Sequence, residues 1–445
     1  MRRAKRFPHG MLVFAAVLAS LGGAAWGEEA ARPPLRQFCA AAPAGIAALA
    51  GRSVRSVTEF GAVGDGVADD TAALQRAFDR VGSGAILEFP PGTYLYSRVL
   101  TLARDDIVLR GDHATLQARN PEAQALVFKG DRTAALWLTL RGAARTRLGT
   151  PESAQMVVKG RWVQLVGNTV SAGASAGIFV FGGQDFRIVG NRVHGTLADG
   201  IHMTEGARRG LVEGNVVYGT GDDMIAVVSY RPSVLSADNR GLAGDILIEN
   251  NDVSGNSWGR GITVVGGEHV AITRNRVSQV WGAAGIYVAQ ESSFKTYGNT
   301  NIYIGGNSVS AIQTAAPPLG RWYSRHGAID INTSNEAPVQ FIDVEHNTID
   351  SVGFSGIRVL GTVCHLRLAD NALTAVQKHA GGSPIGVVED SCAPEAIRCR
   401  GNTLDGHAIA PAGQCVEAGT DDEEWRGAKL SAAPQGATWQ ACAAR

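Results

Sequence analysis

The sequence has no excess of charge of either sign and no long apolar segment beyond its first residues. Lys and Arg together number 41, as do Asp and Glu, so the 445-residue chain has no basic excess to neutralise a phosphate backbone. We therefore expect no nucleic-acid partner. No later stretch approaches the roughly 20 apolar residues of a membrane span. With 45% hydrophobic residues, the chain predicts a globular protein, which we expect to be a monomer.

Cysteine is scarce, and its spacing excludes the usual zinc motifs. No cysteine falls in a CxxC or Cys/His pattern, so we predict neither a metal nor a cofactor. An even number of cysteines in an oxidising compartment predicts disulfides, whose pairing the sequence leaves open. Since five of them follow residue 360, we expect a disulfide-stapled C-terminal end. The six cysteines are Cys39, Cys364, Cys392, Cys399, Cys415 and Cys442.

The N-terminal residues 1–27 predict export. They begin with a basic cluster, continue as an apolar run from Met11 to Leu21 and end in small residues near Gly27. This is the pattern of a cleaved secretory signal peptide, so we expect a secreted or periplasmic protein. The other predicted divisions are a lead-in over 28–56, a repeat domain over 57–402 and a C-terminal capping tail over 403–445.

Helical periodicity is almost absent, whereas short alternating strands between Gly and Asn turns are frequent among the 56 glycines. A unit of the form Gly-Asn-x-(Val/Ile/Leu) recurs, with intervals between its asparagines of 23, 24, 36, 24, 32, 40, 24 and 31 residues. Such a period predicts a solenoid, and we expect an all-β, right-handed parallel β-helix. The asparagines are expected to stack as an internal ladder; they are Asn168, Asn191, Asn215, Asn251, Asn275, Asn307, Asn347, Asn371 and Asn402.

A second strand runs in step with this repeat, as in Gly200-Ile201-His202-Met203. Its second and fourth positions are aliphatic or Met in every copy, whereas the third varies. Since side chains alternate across a strand, the constant positions face the core and the variable ones face out. The outward positions predict one stripe along a groove, formed by Phe179, His202, Ala226, Thr263, Tyr287, Asp330 and Arg358.

The segment 57–80 precedes the repeats and predicts a capping helix. The pair Asp70-Thr71 is a suitable N-cap for a helix over about 72–80, whose apolar face would cover the open end of the coil. This segment and Phe89-Pro90-Pro91-Gly92-Thr93-Tyr94 resemble the N-terminal part of the pectate-lyase superfamily of β-helix proteins. The resemblance implies a structural, non-catalytic role for the acidic residues Asp65, Asp69 and Asp70.

Three carboxylates are placed one repeat apart. Asp222 and Asp223 follow Asp199 by 23 and 24 residues. Neighbouring coils lie about 4.8 Å apart, so these side chains are expected to meet, provided that Gly221 and its turn let both adjacent aspartates face the groove. Carboxylates this close cannot all ionise easily. We therefore expect one raised pKa, which makes one residue an acid while the others stay bases.

The stretches Asp199-Gly200-Ile201 and Gly221-Asp222-Asp223-Met224-Ile225-Ala226-Val227 resemble the paired N-T-D-G and G-D-D-C-I-A motifs of the polygalacturonase family of glycoside hydrolases. The family's motifs are also one coil apart. The resemblance implies an inverting, polysaccharide-degrading hydrolase. In it, Asp222 is the general acid, and Asp199 with Asp223 holds the attacking water.

The departures from the family pattern concern substrate recognition. The family's G-H-G has Arg260 in place of its histidine, and its R-x-K pair, which grips a substrate carboxylate, aligns with Tyr287 and Ala289. We therefore expect a glycan other than polygalacturonate. Arg260 is either a substrate ligand or an ion-pair partner that keeps Asp223 charged. The substrate-binding candidates, several with aromatic faces suited to sugars, are His202, Arg260, Tyr287, His326, Tyr230 and Trp258.

Two other functions stay open from the sequence. In a polysaccharide lyase or C5-epimerase, Arg260, His202 or Tyr287 would abstract a proton, and the aspartates would bind calcium or neutralise a uronate. In a non-enzymatic glycan-binding β-helix, the same aspartates would be turn residues.

Overall fold

The structure is a computed structural model that describes residues 49–232, 241–316, 323–388, 397–409 and 415–417. The predicted signal peptide lies outside the described residues, as do most of the lead-in and most of the C-terminal tail.

The described chain winds through three sheets, and most coils contribute one strand to each of them in turn. The first sheet contains β1 (Val54–Ser56), β3 (Ile86–Phe89), β6 (Val108–Gly111), β9 (Ala134–Leu136), β12 (Gln164–Val166), β15 (Arg187–Val189), β18 (Arg208–Glu213), β21 (Ala243–Glu249), β24 (Gly267–Thr273), β27 (Asn299–Gly305), β30 (Val339–Glu345), β33 (Val363–Ala369), β36 (Ile397–Arg400) and β39 (Cys415–Glu417). The second sheet contains β2 (Asp65–Asp69), β4 (Gly92–Tyr96), β7 (Ala114–Ala118), β10 (Thr139–Arg141), β13 (Thr169–Ser171), β16 (Arg192–His194), β19 (Val216–Tyr218), β22 (Asp252–Ser254), β25 (Arg276–Ser278), β28 (Ser308–Ile312), β31 (Thr348–Val352), β34 (Ala372–Thr374), β37 (Thr403–Leu404) and β38 (His407–Ala408). The third sheet contains β5 (Leu100–Leu102), β8 (Leu126–Phe128), β11 (Met156–Val158), β14 (Ile178–Phe181), β17 (Ile201–Thr204), β20 (Ile225–Val228), β23 (Ile262–Val265), β26 (Ile286–Gln290), β29 (Ile329–Thr333), β32 (Ile357–Leu360) and β35 (Ile385–Val388). The helices of the described chain are α1 (Thr71–Arg80) and 3-10 turns at Val57–Phe60, Pro151–Ser153 and Ser292–Phe294.

Strand pairing within the sheets is parallel, apart from the short antiparallel contact of β37 with β38. The repeat thus forms the all-β, three-sheet coil that its period predicts. Inward positions fill the core: Ile201 and Met203 of β17, like Ile225 and Val227 of β20, are fully buried. The outward residues pair in the predicted register, so that Phe179 lies beside His202 and Tyr287 beside Asp330.

The asparagine ladder is confirmed. Each rung accepts hydrogen bonds from the backbone N–H and the side-chain N–H of the preceding rung. For example, the Nδ2 of Asn191 donates to the Oδ1 of Asn215 at 3.0 Å. The same bonds connect Asn168 to Asn191 and continue through Asn402. The residue before each asparagine is left-handed, with φ 63 at Gly214, which explains why glycine precedes asparagine in most copies of the repeat.

The predicted helix over about 72–80 is present as α1, and its Leu74, Ala77 and Phe78 join the core. Its closing of the coil stays a prediction. The expected cap bond is wrong, because the carboxylate of Asp70 accepts the backbone N–H of Val63 and Gly64 rather than that of a helix residue. This bond pattern gives the acidic segment the structural role that the resemblance implies.

The two ends of the chain are described only in part. Cys364 and Cys399 each take part in a disulfide, but the predicted staple stays a prediction, because Cys39, Cys392 and Cys442 lie outside the described residues. Within the described ranges, no helix combines the length and the hydropathy needed to cross a membrane.

Candidate active site

The three predicted acids converge in the turns that connect the second sheet to the third. Asp199 precedes β17, whereas Asp222 and Asp223 precede β20, one coil further on. A carboxylate oxygen from each lies within 4.8 Å of one from each of the others. The structure therefore brings Asp199, Asp222 and Asp223 together as one group, which we call the acid cluster.

Local turn geometry lets two adjacent aspartates enter the same cleft. The hydroxyl of Thr220 donates to the carbonyl oxygen of Asp222 at 2.7 Å, which folds the chain before β20. Gly259, with φ 78, passes so close that an added Cβ would lie 2.4 Å from the Asp222 carboxylate. A glycine is thus required beside Asp222 on the next coil, both for its backbone conformation and for its lack of a side chain.

Each acid has a different partner. A carboxylate oxygen of Asp199 contacts the Nδ1 of His202. Asp222 is ion-paired to Arg147 at 2.5 Å.

Asp223 is the most enclosed of the three, since its side chain is 8% exposed, against 20% for Asp222. It accepts the backbone N–H of Arg260 at 2.6 Å and lies 3.8 Å from the guanidinium of the same residue. Of the two roles left open for Arg260, the ion pair with Asp223 is present.

Burial and mutual repulsion raise the pKa values of the two adjacent acids, Asp222 and Asp223. Burial raises the pKa of Asp223 well above its ordinary value, with a contribution from Asp222 and Asp199, whereas Arg260 opposes the shift. Burial and Asp199 also raise the pKa of Asp222, against the attraction of Arg147. The expected raised pKa is therefore present, but at two neighbouring carboxyls rather than at one.

The predicted residues Arg260, Tyr287 and His326 form a continuous stack above Asp223. The guanidinium of Arg260 lies 4.3 Å from the ring centroid of Tyr287, and the ring of His326 stacks on Tyr287 at 4.9 Å. Arg260 also binds Glu291. Tyr287 is only 3% exposed, so its ring faces are covered and it differs from the open sugar platform expected from the sequence.

The remaining candidates occupy different places. Burial and the charges of the three acids raise the pKa of Tyr230. Trp258 is half-buried, and its ring lies 3.4 Å from the position of a Cβ added to Gly282. The outward stripe is less open than expected, because Ala226, Thr263 and Asp330 are fully buried.

Sequence reasoning missed Arg147 and Glu291 as members of the site. Arg147 lies 75 residues before its partner Asp222 and belongs to the loop that follows β10, outside the repeat. No periodic signal could have found it. Glu291 directly follows β26, seven residues beyond Ala284, the position aligned with Arg260, so a column alignment could not have found it either.

The acid cluster is also the group within the described ranges whose oxygens could surround a single cation. Arg147 and Arg260 already place two guanidinium groups against it. The negative charge of the cluster is thus compensated in part by the chain itself.

Residues 54–315 match the model of the rhamnogalacturonase A/epimerase, pectate lyase-like family. This match covers more than half of the chain, so the protein belongs to that family, and the resemblance to the pectate-lyase superfamily is confirmed. No curated protein matches the sequence.

Several solved structures share the fold. An exopolygalacturonase from Thermotoga maritima is 17% identical, with 76% of this chain and 91% of that chain covered at a TM-score of 0.58. A GH87 α-1,3-glucanase catalytic unit from Streptomyces thermodiastaticus is 18% identical, with coverage of 80% and 69% and a TM-score of 0.55. The mannuronan C-5 epimerase AlgE6 A-module of Azotobacter vinelandii is 18% identical, with coverage of 80% and 100% and a TM-score of 0.52. At these identities the similarities establish the parallel β-helix fold.

Proposed function

We propose that the protein is an exported glycoside hydrolase that cleaves a polysaccharide at the acid cluster. The observation that carries this proposal is the convergence of Asp199, Asp222 and Asp223, each with its own partner, within 4.8 Å. Export rests on the signal-peptide pattern of residues 1–27.

Asp222 is the general acid in this proposal. Its side chain is the most exposed of the three acids, so it is the one that a glycosidic oxygen can reach. The raised pKa values of Asp222 and Asp223 favour the protonated form, and in this proposal Asp222 donates its proton to the leaving oxygen. The half-exposed Arg147 must move away from Asp222 as the glycan enters, which removes the contact that favours the ionised form.

Asp199 and Asp223 hold and deprotonate the attacking water. The contact of His202 with Asp199 fixes the orientation of that carboxylate, and Arg260 does the same for Asp223. A single displacement by this water inverts the anomeric carbon. The oxygens of the cluster are closer than the roughly 6.5–9.5 Å between carboxyls that is usual for inverting enzymes, so the stereochemistry needs its own measurement. NMR of the first-formed product is expected to show the inverted anomer, and a retained anomer would contradict a single displacement.

A lyase or C5-epimerase is the second candidate, and one contact favours it. His202 lies against Asp199 and is the remaining base for proton abstraction at a uronate. The two other bases considered are less suitable: Arg260 is held by Asp223 and Glu291, and burial raises the pKa of Tyr287.

A panel of neutral and acidic polysaccharides separates these functions. Digests with the purified protein are read for new reducing ends and for ultraviolet absorbance. We expect new reducing ends without absorbance. Reducing ends with absorbance indicate a lyase, altered uronate stereochemistry without cleavage indicates an epimerase, and binding without any chemical change indicates a glycan-binding protein.

A further inference from the structure

An aromatic pair lies on the outward face of the third sheet, in the coil before the acid cluster. The rings of Phe179 and Phe181 in β14 are 5.5 Å apart at 62°, and both are half-buried. Their inner sides pack on Val127 and Val157 of the two preceding strands. The ring of Phe179 also lies 5.1 Å from that of His202, the partner of Asp199. The aromatic surface is therefore continuous with the acid cluster.

An ammonium group accompanies this aromatic pair. Lys159 follows β11, one coil before Phe181, and its Nζ lies 5.2 Å from the Phe181 ring centroid. The side chain is exposed. Among the described residues, Lys159 forms no ion pair, so its charge is available to a ligand. A cation beside an exposed aromatic face is a suitable site for a sugar ring that carries an anionic group.

A second, independent feature places positive charge on the same coils. Arg119, Arg141 and Arg145 line an open cavity of about 650 Å³ at β7, β10 and the loop that follows. None of the three forms an ion pair with another described residue. Arg145 lies two residues before Arg147, so this loop connects the cavity to the acid cluster.

Cations without an ion pair to a described carboxylate also occur after the acid cluster, as at Lys378, so what distinguishes Lys159 is its place beside the aromatic pair.

We propose that Phe179, Phe181 and Lys159 form a subsite for a uronic acid residue of the glycan. The CH face of the sugar stacks on the aromatic pair, and its carboxylate binds the ammonium of Lys159. This inference rests on the proposed function and names its substrate class. Phe179 lies one coil before Asp199, beside its partner His202, whereas Phe181 and Lys159 lie at the other end of their strands and further from the acid cluster. The subsite supplies the carboxylate contact that Tyr287 and Ala289 do not, and it reverses the expectation of a substrate without uronate.

The test uses calorimetry with the full-length Asp222→Asn variant, which keeps the subsite but does not cleave. The probes are galacturonate and mannuronate oligosaccharides and their carboxyl-reduced forms, which have the same backbones without the charge. We expect at least one acidic form to bind about tenfold more tightly than its reduced form, as for a charge-assisted hydrogen bond. Adding Lys159→Ala should remove this difference, and adding Phe181→Ala should weaken both forms. Lys378→Ala, at an exposed lysine far along the chain, is the matched control and should change nothing.

The inference is overturned if neither acidic oligosaccharide binds, if the acidic and reduced forms bind with equal affinity, or if Lys159→Ala leaves the affinity unchanged. These results are independent of cleavage. Failure of the parent protein to cleave any polysaccharide contradicts the proposed function, whereas the calorimetry still decides the subsite.

Discussion

At the residue scale, the chemistry depends on how differently three similar side chains are held. Asp222 is the most exposed of the three and is paired with the half-exposed Arg147, whereas Asp223 is enclosed and accepts a hydrogen bond from a backbone N–H. Neighbouring carboxylates in unlike environments are the usual basis for dividing acid and base roles.

Replacing Arg147 by Ala tests the role of Asp222 as the acid. Arg147 favours the ionised form of Asp222, so its removal raises the pKa of Asp222 further. A general acid must be protonated, and the high-pH limb of the kcat/KM profile is therefore expected to move to higher pH, with a severalfold gain on that side. Arg161→Ala removes an equally exposed guanidinium, paired to Asp185 on the first sheet, and should leave the profile unchanged. A limb that moves to lower pH, or does not move, would contradict the assignment.

His326 predicts a pH dependence of stability. Burial lowers its pKa to about 4, from an ordinary value near 6.5, and its Nδ1 has no hydrogen-bond partner among the described residues. Between these values the unfolded chain takes up a proton that the folded chain does not. The stabilisation by neutral His326 is therefore complete above pH 6.5 and is lost as the pH falls toward 4.

The His326→Phe variant keeps the stack on Tyr287 but cannot be protonated. Between pH 7 and pH 5, the parent protein should lose about 1–2 kcal/mol more of its free energy of unfolding than this variant does, as measured by urea denaturation. The same substitution at His113, whose side chain is 90% exposed, is the control and should not change the pH dependence. Identical pH dependence of the parent and the His326→Phe variant would show that His326 is not held neutral.

At the element scale, the coils are joined by the asparagine ladder as well as by their sheets. Every rung is buried and bonded to the next, so the ladder satisfies the backbone at a turn where no strand partner is available. The ladder also sets the register on which the acid cluster depends. The rungs Asn191 and Asn215 directly precede β16 and β19, and the turns that follow these two strands carry the acids.

Asn215→Ala is expected to be strongly destabilising. It leaves the backbone N–H and the Nδ2 of Asn191 without their acceptor and removes the bonds of Asn215 to Asn251 and to the carbonyl of Ile188. Unsatisfied buried donors cost about 1–3 kcal/mol each, so a loss of about 3 kcal/mol or more in the free energy of unfolding is expected. Ser308→Ala, at an exposed position directly after the rung Asn307, should cost less than about 1 kcal/mol. Equal losses would mean that the ladder does not stabilise the coil.

At the scale of the whole molecule, the features that follow the sequence repeat could be predicted, whereas those formed outside the repeat could not. The spacing of the asparagines predicted the coil and the ladder, and the interval from Asp199 to Asp222 and Asp223 predicted the acid cluster. Periodicity also predicted which side chains face outward, as with Phe179 and Tyr287. It could not predict that Tyr287 would be covered, because burial of an outward side chain depends on what packs against it.

Arg147 shows the same limit for the site. A loop of irregular length carries it over several coils, and its meeting with Asp222 results from packing rather than from the repeat. Asp70 is a second example: its position predicts an N-cap, but its carboxylate instead binds Val63 and Gly64 in the turn six and seven residues earlier. In both cases, a contact outside the expected pattern determines where the side chain lies.

The assignment of the acid cluster is tested most directly by the activity of the Asp222→Asn variant on the glycan that the parent protein cleaves. Substitution removes the proton donor and preserves the size of the side chain, so the fold and the melting temperature should be retained. A fall in kcat of about 100- to 10,000-fold is expected, which is the usual contribution of a general acid. Full activity in the folded variant would contradict the assignment.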